Sequence, residues 1–149
     1  MKPRIRLVLA IVFLLLILGL SLFAISVGNQ GPAHLLPATV DHDCAPWDGL
    51  AFTISIHYDA GTVIAISIWQ SPDFEFRHSF SFPDRNGKVG DARLQLQSGP
   101  PEQLSGRATL QPAEKGAALE GDFDFTAESG RPFRGTFHAV WGNKVALCG

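Results

Sequence analysis

Histidine, cysteine and carboxylate side chains are where this chain could do chemistry: it has 5 His, 2 Cys and 14 Asp+Glu. Asp41-His42-Asp43-Cys44 sets four metal-ligand types in a row. Consecutive residues point in different directions and rarely converge on one ion, so the spacing favours a solvated segment. His57 and Asp59 are two apart and share a face. His138 shares the polar side of its segment with Arg134 and Thr136, and Glu120, Asp122 and Asp124 join that side if the two segments pair. A hydrolase or metal-dependent enzyme would need His57, His138 and one of those acids within hydrogen-bond reach. A general acid also needs burial to raise its pKa, and alternation puts these acids on the wet face. No G-x-S-x-G elbow, P-loop, dinucleotide fingerprint or H-E-x-x-H occurs. No catalytic residue, metal or cofactor is nominated.

His78 is the most unusual single residue. Phe74, Phe76, Phe80 and Phe82 flank it at two and four residues on either side. One reading is a core histidine bonded to a backbone or hydroxyl group. The other is a polar anchor in an apolar ligand pocket lined by Phe74, Phe76, Phe80, Phe82 and Phe123.

Cys44 and Cys148 are expected to form a disulfide. The two ends of a small β-domain tend to lie close, and the bridge would close a loop of about 105 residues, worth roughly 4–5 kcal/mol in the chain-entropy model. Such a bond persists in an oxidising compartment.

From Leu50 onward the apolar period is two, which argues for half-buried strands. Phe52, Ile54, Ile56 and Tyr58 share one face, as do Ile64, Ile66 and Ile68. Shorter alternating runs follow around 92–96, 104–110, 119–127 and 133–141, with a last short strand over 144–148. Turn residues separate them, including Asp59-Ala60-Gly61, Asn86-Gly87 and Ser129-Gly130. An apolar-x-Gly-x-apolar pattern recurs at Gly106, Gly121 and Gly135. Glycine inside a strand marks a bend or a close approach, so these three should curve the sheet around a bulky neighbour such as Trp69 or Trp141. The fold class expected is all-β: an antiparallel meander of seven or eight strands closing as a small barrel or β-sandwich. In strand count and meander alone it resembles lipocalin-type barrels. It lacks their Gly-x-Trp near the first strand, since Pro46-Trp47-Asp48-Gly49 has the two residues in the opposite order. The resemblance implies no site.

Residues 1–6 form a basic segment with Lys2, Arg4 and Arg6. Leu7 to Val27 is a run of 21 residues without charge. As a helix it would span roughly 32 Å, enough for a bilayer core of about 30 Å. The run reads as one N-terminal transmembrane helix, a signal anchor with the basic end cytoplasmic. The alternative is a signal peptide cleaved near Ser26, which would leave a secreted domain. Residues 28–46 read as a spacer and 47–149 as the exported β-domain.

Beyond residue 27 the chain carries 9 basic and 14 acidic side chains, so no basic surface is available for nucleic acid. The reading that fits best is a membrane-anchored, non-catalytic binding or structural module of the cell envelope. Its partner would be an envelope protein, a glycan or a lipid. The second reading is a barrel that carries a small apolar ligand.

Overall fold

Side-chain alternation decides which face of each segment is buried, and the computed structural model follows it. The structure describes residues 35–70, 78–84 and 86–148. The expected membrane segment Leu7 to Val27, and Phe74 and Phe76, lie outside the described residues. Among the described residues no helix is long and apolar enough to cross a membrane.

The strands are β1 (Leu35–Cys44), β2 (Leu50–Asp59), β3 (Thr62–Ile68), β4 (His78–Phe82), β5 (Gly90–Leu96), β6 (Glu102–Leu110), β7 (Leu119–Ala127) and β8 (Pro132–Trp141). They form one sheet in the order β4-β6-β5-β3-β2-β1-β8-β7, and a further β6–β7 pairing closes it. Seven strands thus make the wall of a barrel, and β4 is the extra one. β3 skips β4 and pairs with β5 from Thr62↔Leu96 to Ile68↔Gly90. β6 pairs with β5 only at Arg93↔Gln103 and Leu94↔Glu102. The rest of that edge takes β4, from His78↔Leu110 to Phe82↔Gly106.

This arrangement corrects the expected antiparallel meander in two ways. β4 leaves the wall, and β1 pairs parallel with β8, from Leu35↔Thr136 to Val40↔Trp141. Parity links the two departures. A wall of strands alternating up and down can close antiparallel throughout only with an even number, and seven forces one parallel neighbour pair.

The expected spacer is corrected too, because β1 occupies residues that read as linker. Leu36, Ala38 and Val40 follow the inward period, but Pro37 interrupts it in the sequence. The proline is tolerated because it precedes the first β1–β2 pair, Ala38↔Ile56, so its missing N–H removes no bond from that ladder. Leu35 is therefore the start of the barrel, twelve residues ahead of the expected Trp47. Conversely, 144–148 forms no strand.

Large and small residues alternate around the inner wall. Phe80 faces Ala108, Ala108 faces Phe123, and Phe123 faces Gly135. One level along, Phe82 faces Gly106, Gly106 faces Phe125, and Phe125 faces Phe133. On the other side, His78 faces Leu110, Leu110 faces Gly121, and Gly121 faces Phe137. Gly121 and Gly135 give their place to neighbouring rings, and Gly106 to backbone. At Gly121 a Cβ would come within 2.6 Å of Phe137 Cζ, and at Gly135 within 3.2 Å of Phe123 Cζ. At Gly106, where φ is +148°, it would overlap the carbonyl oxygen of Asp124. At Gly121 and Gly135 the bulky neighbours are phenylalanines on adjoining strands, which corrects the expectation of Trp69 or Trp141. The rings touch one another at centroid distances of 5.9 Å (Phe123–Phe125), 6.1 Å (Phe82–Phe125) and 6.4 Å (Phe123–Phe137). Each such pair adds about 0.5–1.5 kcal/mol beyond its burial.

Candidate functional site

Strand direction gives the barrel two ends of different make. At the turn end lie the Asp59–Thr62 hairpin, the connection from β5 to β6, the β7–β8 turn and the start of β1 at Leu35. The loop end carries the β1–β2 loop, the residues just ahead of β5, the β6–β7 loop and the C-terminal residues 142–148. All three tryptophans of the chain, Trp47, Trp69 and Trp141, are at the loop end.

Trp141 closes the inner mouth there. It continues the inward period of β8, stacks on His42 at 4.8 Å with a 28° interplanar angle, and donates its indole N–H to Ala117 O at 2.9 Å. That bond draws the β6–β7 loop across the opening. Trp47 belongs to the outside. Its loop is closed by Ala45 N to Gly49 O (2.8 Å) and Asp48 N to Ala45 O (3.0 Å), with Asp48 at φ +62°. The indole folds back over Gly49, where a Cβ would meet Nε1 at 2.8 Å. Trp69 meets it edge-on at 5.7 Å and 86°. Held from two sides, Trp47 is still 54% exposed.

The expected disulfide is present. Cys44 and Cys148 are joined, with Cα atoms 5.6 Å apart. Exposed apolar side chains lie close in the chain or in register to this bond. Leu50 sits opposite Cys44 in the β1–β2 register and is 58% exposed. Leu147 precedes Cys148 and is 92% exposed, and Val145 is 77% exposed. Lys144 Nζ lies 3.7 Å from Asp43 Oδ1. Solvent-exposed apolar patches with polar rims mark interaction sites on soluble domains. Sequence reasoning missed Leu50, Val145 and Leu147. The signal lay in the β1–β8 register, which becomes visible only once both strands are placed.

The four ligand types of 41–44 do not converge. His42 turns to Trp141, and Cys44 is in the disulfide. Asp43 accepts from Thr53 Oγ1 at 3.1 Å, and Thr53 in turn hydrogen-bonds Ser67 at 3.0 Å. Among the described residues no three His, Cys, Asp or Glu side chains are placed to hold a metal ion.

Other nominated residues are spread over the outer face. β7 and β8 do pair, setting Glu120 opposite His138 and Asp124 opposite Arg134. The contacts are 3.4 Å from His138 Nδ1 to Glu120 Oε1 and 2.8 Å from Arg134 Nε to Asp124 Oδ1. Both pairs are exposed, so each adds less than about 1 kcal/mol. His57 stands on β2 and His138 on β8 with β1 between them, about 10 Å apart across two strand spacings.

Phe80, Phe82 and Phe123 are buried in the core, in contact with their neighbours. His78 is half-buried and stacks on Phe80 at 6.0 Å. Its Nε2 is buried with no hydrogen-bond partner among the described residues.

At the turn end, Tyr58 packs edge-on against Phe133 at 5.2 Å and Phe123 at 6.3 Å. The Arg131 guanidinium lies 4.8 Å from the centre of the Phe133 ring. The Gly61 main-chain N–H, at 3.0 Å, and then the Thr62 hydroxyl hold the Asp59 carboxyl below the usual carboxylate range. Burial opposes them and Arg131 adds a lowering effect smaller than that of burial, but the net shift is downward.

Comparison of the chain with family models, curated proteins and solved structures gave no match in any of the three.

Proposed function

We propose that this protein is a membrane-tethered, exported β-barrel that acts as a non-catalytic binding module and docks a partner protein through its loop end. Trp47 carries the reading: a large aromatic side chain is fixed in place by Trp69 and Gly49, yet presented to solvent. Rigid aromatic anchors of this kind dominate protein–protein binding energy. Leu50, Val145 and Leu147 favour a protein over a glycan, because aliphatic side chains give a sugar hydroxyl nothing to bond. The chain enters β1 at Leu35, at the end of the barrel away from Trp47. The carrier reading draws less support than docking, because Phe80, Phe82 and Phe123, three of the phenylalanines it needs, are buried in the core cluster. Barrels of about eight strands or fewer have interiors that side chains alone can fill.

The test is site-specific photocross-linking in native membranes. A benzophenone amino acid replaces Leu50 at the loop end or Ala60 at the turn end. A discrete cross-linked band is expected from position 50 and not from 60, and Trp47→Ala should abolish it. Equal cross-linking from both positions, or none from 50, sinks the proposal.

A further inference from the structure

The C-terminal segment is longer than the path it has to cover. Val40 pairs with Trp141, so a continued parallel register would bring Cys44 opposite Val145. The residue that reaches Cys44 is instead Cys148, three positions later. Those surplus residues bow away from the barrel, which is why Val145 and Leu147 face solvent. Gly142 N to Val40 O, at 2.8 Å, is the last main-chain hydrogen bond of the segment. Beyond it, Asn143, Val145, Ala146 and Leu147 have no hydrogen bond or ion pair among the described residues. Lys144 has only its 3.7 Å contact with Asp43, in which the lysine side chain is 60% exposed. Such a pair holds little. β8 itself is secured independently, by six residue pairs to β1 and eight to β7.

We infer that the Cys44–Cys148 bond is a reducible pin: opening it frees residues 143–148 and takes apart the docking face, while the barrel stays closed. The part concerning docking rests on the proposed function above, and strap release does not. Both cysteines are partly exposed, so a small dithiol can reach them. In the exchange the reductant's two thiols become one disulfide, and Cys44 and Cys148 each take up a proton and become thiols. Two electrons pass from reductant to protein. Leu147 and Val145 then lose their fixed position.

Limited trypsin digestion of the full-length protein, with and without dithiothreitol, tests this. Digests are quenched and fully reduced before the masses are read, so a fragment still held by the disulfide is also counted. Lys88 and Lys115, in exposed loops of the same end, serve as internal references. Cleavage after Lys144 should speed up about tenfold under dithiothreitol, with the reference sites changing less than about twofold, as expected for local release. Cys148→Ser should reproduce that pattern without reductant. If all three sites accelerate together, the bond holds the whole barrel and the inference is overturned. If Lys144 cleavage is unchanged, something else holds the strap, and the inference is again overturned. Cross-linking from position 50 separates the two ideas. Absence of a band in both redox states defeats docking and leaves strap release standing, whereas an equal band in both defeats the redox control.

Discussion

The turn end and the loop end of the barrel close the same seven-strand wall with different parts. The turn end uses short main-chain turns, with Tyr58, Phe133 and Arg131 packed beneath them. The loop end uses side chains and a covalent bond: Trp141 on His42, its indole bond to Ala117, and the Cys44–Cys148 pin. At the turn end Leu35, 50% exposed, is the exposed large apolar side chain among the described residues. Long loops held at a few points leave Trp47, Leu50, Val145 and Leu147 in solvent. The first end is built for stability and the second for contact, and this division can be broken experimentally.

Truncation of the inner aromatic at each end gives the largest effect. Phe133 is fully buried, so Phe133→Ala should cost about 3–5 kcal/mol. Trp141 is only partly buried, and Trp141→Ala should cost about 2 kcal/mol, part of it the bond to Ala117. Urea unfolding measures both as shifts in midpoint with a constant slope. A Trp141→Ala loss equal to that of Phe133→Ala would erase the distinction between the ends.

Trp47→Ala should barely register in the same assay, at about 0.5–1 kcal/mol, because it removes mainly the edge contact with Trp69. Near-ultraviolet circular dichroism should lose the Trp47 contribution while the melting transition stays cooperative. A loss comparable to that of Phe133→Ala would make Trp47 part of the core and remove the argument for docking.

Much of the barrel was legible in the sequence because alternation is a local signal. Phe52, Ile54 and Ile56 on β2, and Ile64, Ile66 and Ile68 on β3, are all fully buried as their period implies. The disulfide was legible from two cysteines placed at the ends of the domain. β1 was not, since Pro37 and three acidic or imidazole side chains from Asp41 to Asp43 masked its alternation. Nor was the parallel β1–β8 pairing, which follows from β4 leaving the wall, a non-local event. The glycine repeat was readable as close approach, but its partners were not. Gly121 meets Phe137, and Gly135 meets Phe123, only through a register that neither strand specifies alone. His57 and His138 look like a pair in composition, and β1 keeps them apart. The exposed residues of the loop end were not legible: Trp47 was read only within Pro46-Trp47-Asp48-Gly49, and Val145 and Leu147 belonged to an expected strand.

The smallest effect comes from acid, and it tests whether the two ends differ in their turns as well as in their plugs. Asp59 at the turn end is held below its ordinary pKa of 3.8, first by the Gly61 N–H. Asp84 at the loop end is also lowered: burial pushes its carboxyl up, but the N–H groups of Lys88, Asn86, Val89 and Gly87 together outweigh it. Because folding depresses both values, each carboxylate stabilises the folded state above pH 3.8. That contribution disappears as the pH falls through the lower folded value. Asp59→Asn should lower Tm at pH 7 by a few degrees at most, since the group is exposed. It should also reduce the fall in Tm between about pH 5 and pH 2. Asp84→Asn should behave alike if the loop around it is as fixed as the hairpin. A clear acid effect at Asp59 with none at Asp84 would show that the main chain of the loop end is loose, with only its side chains and its disulfide holding the contact face in shape.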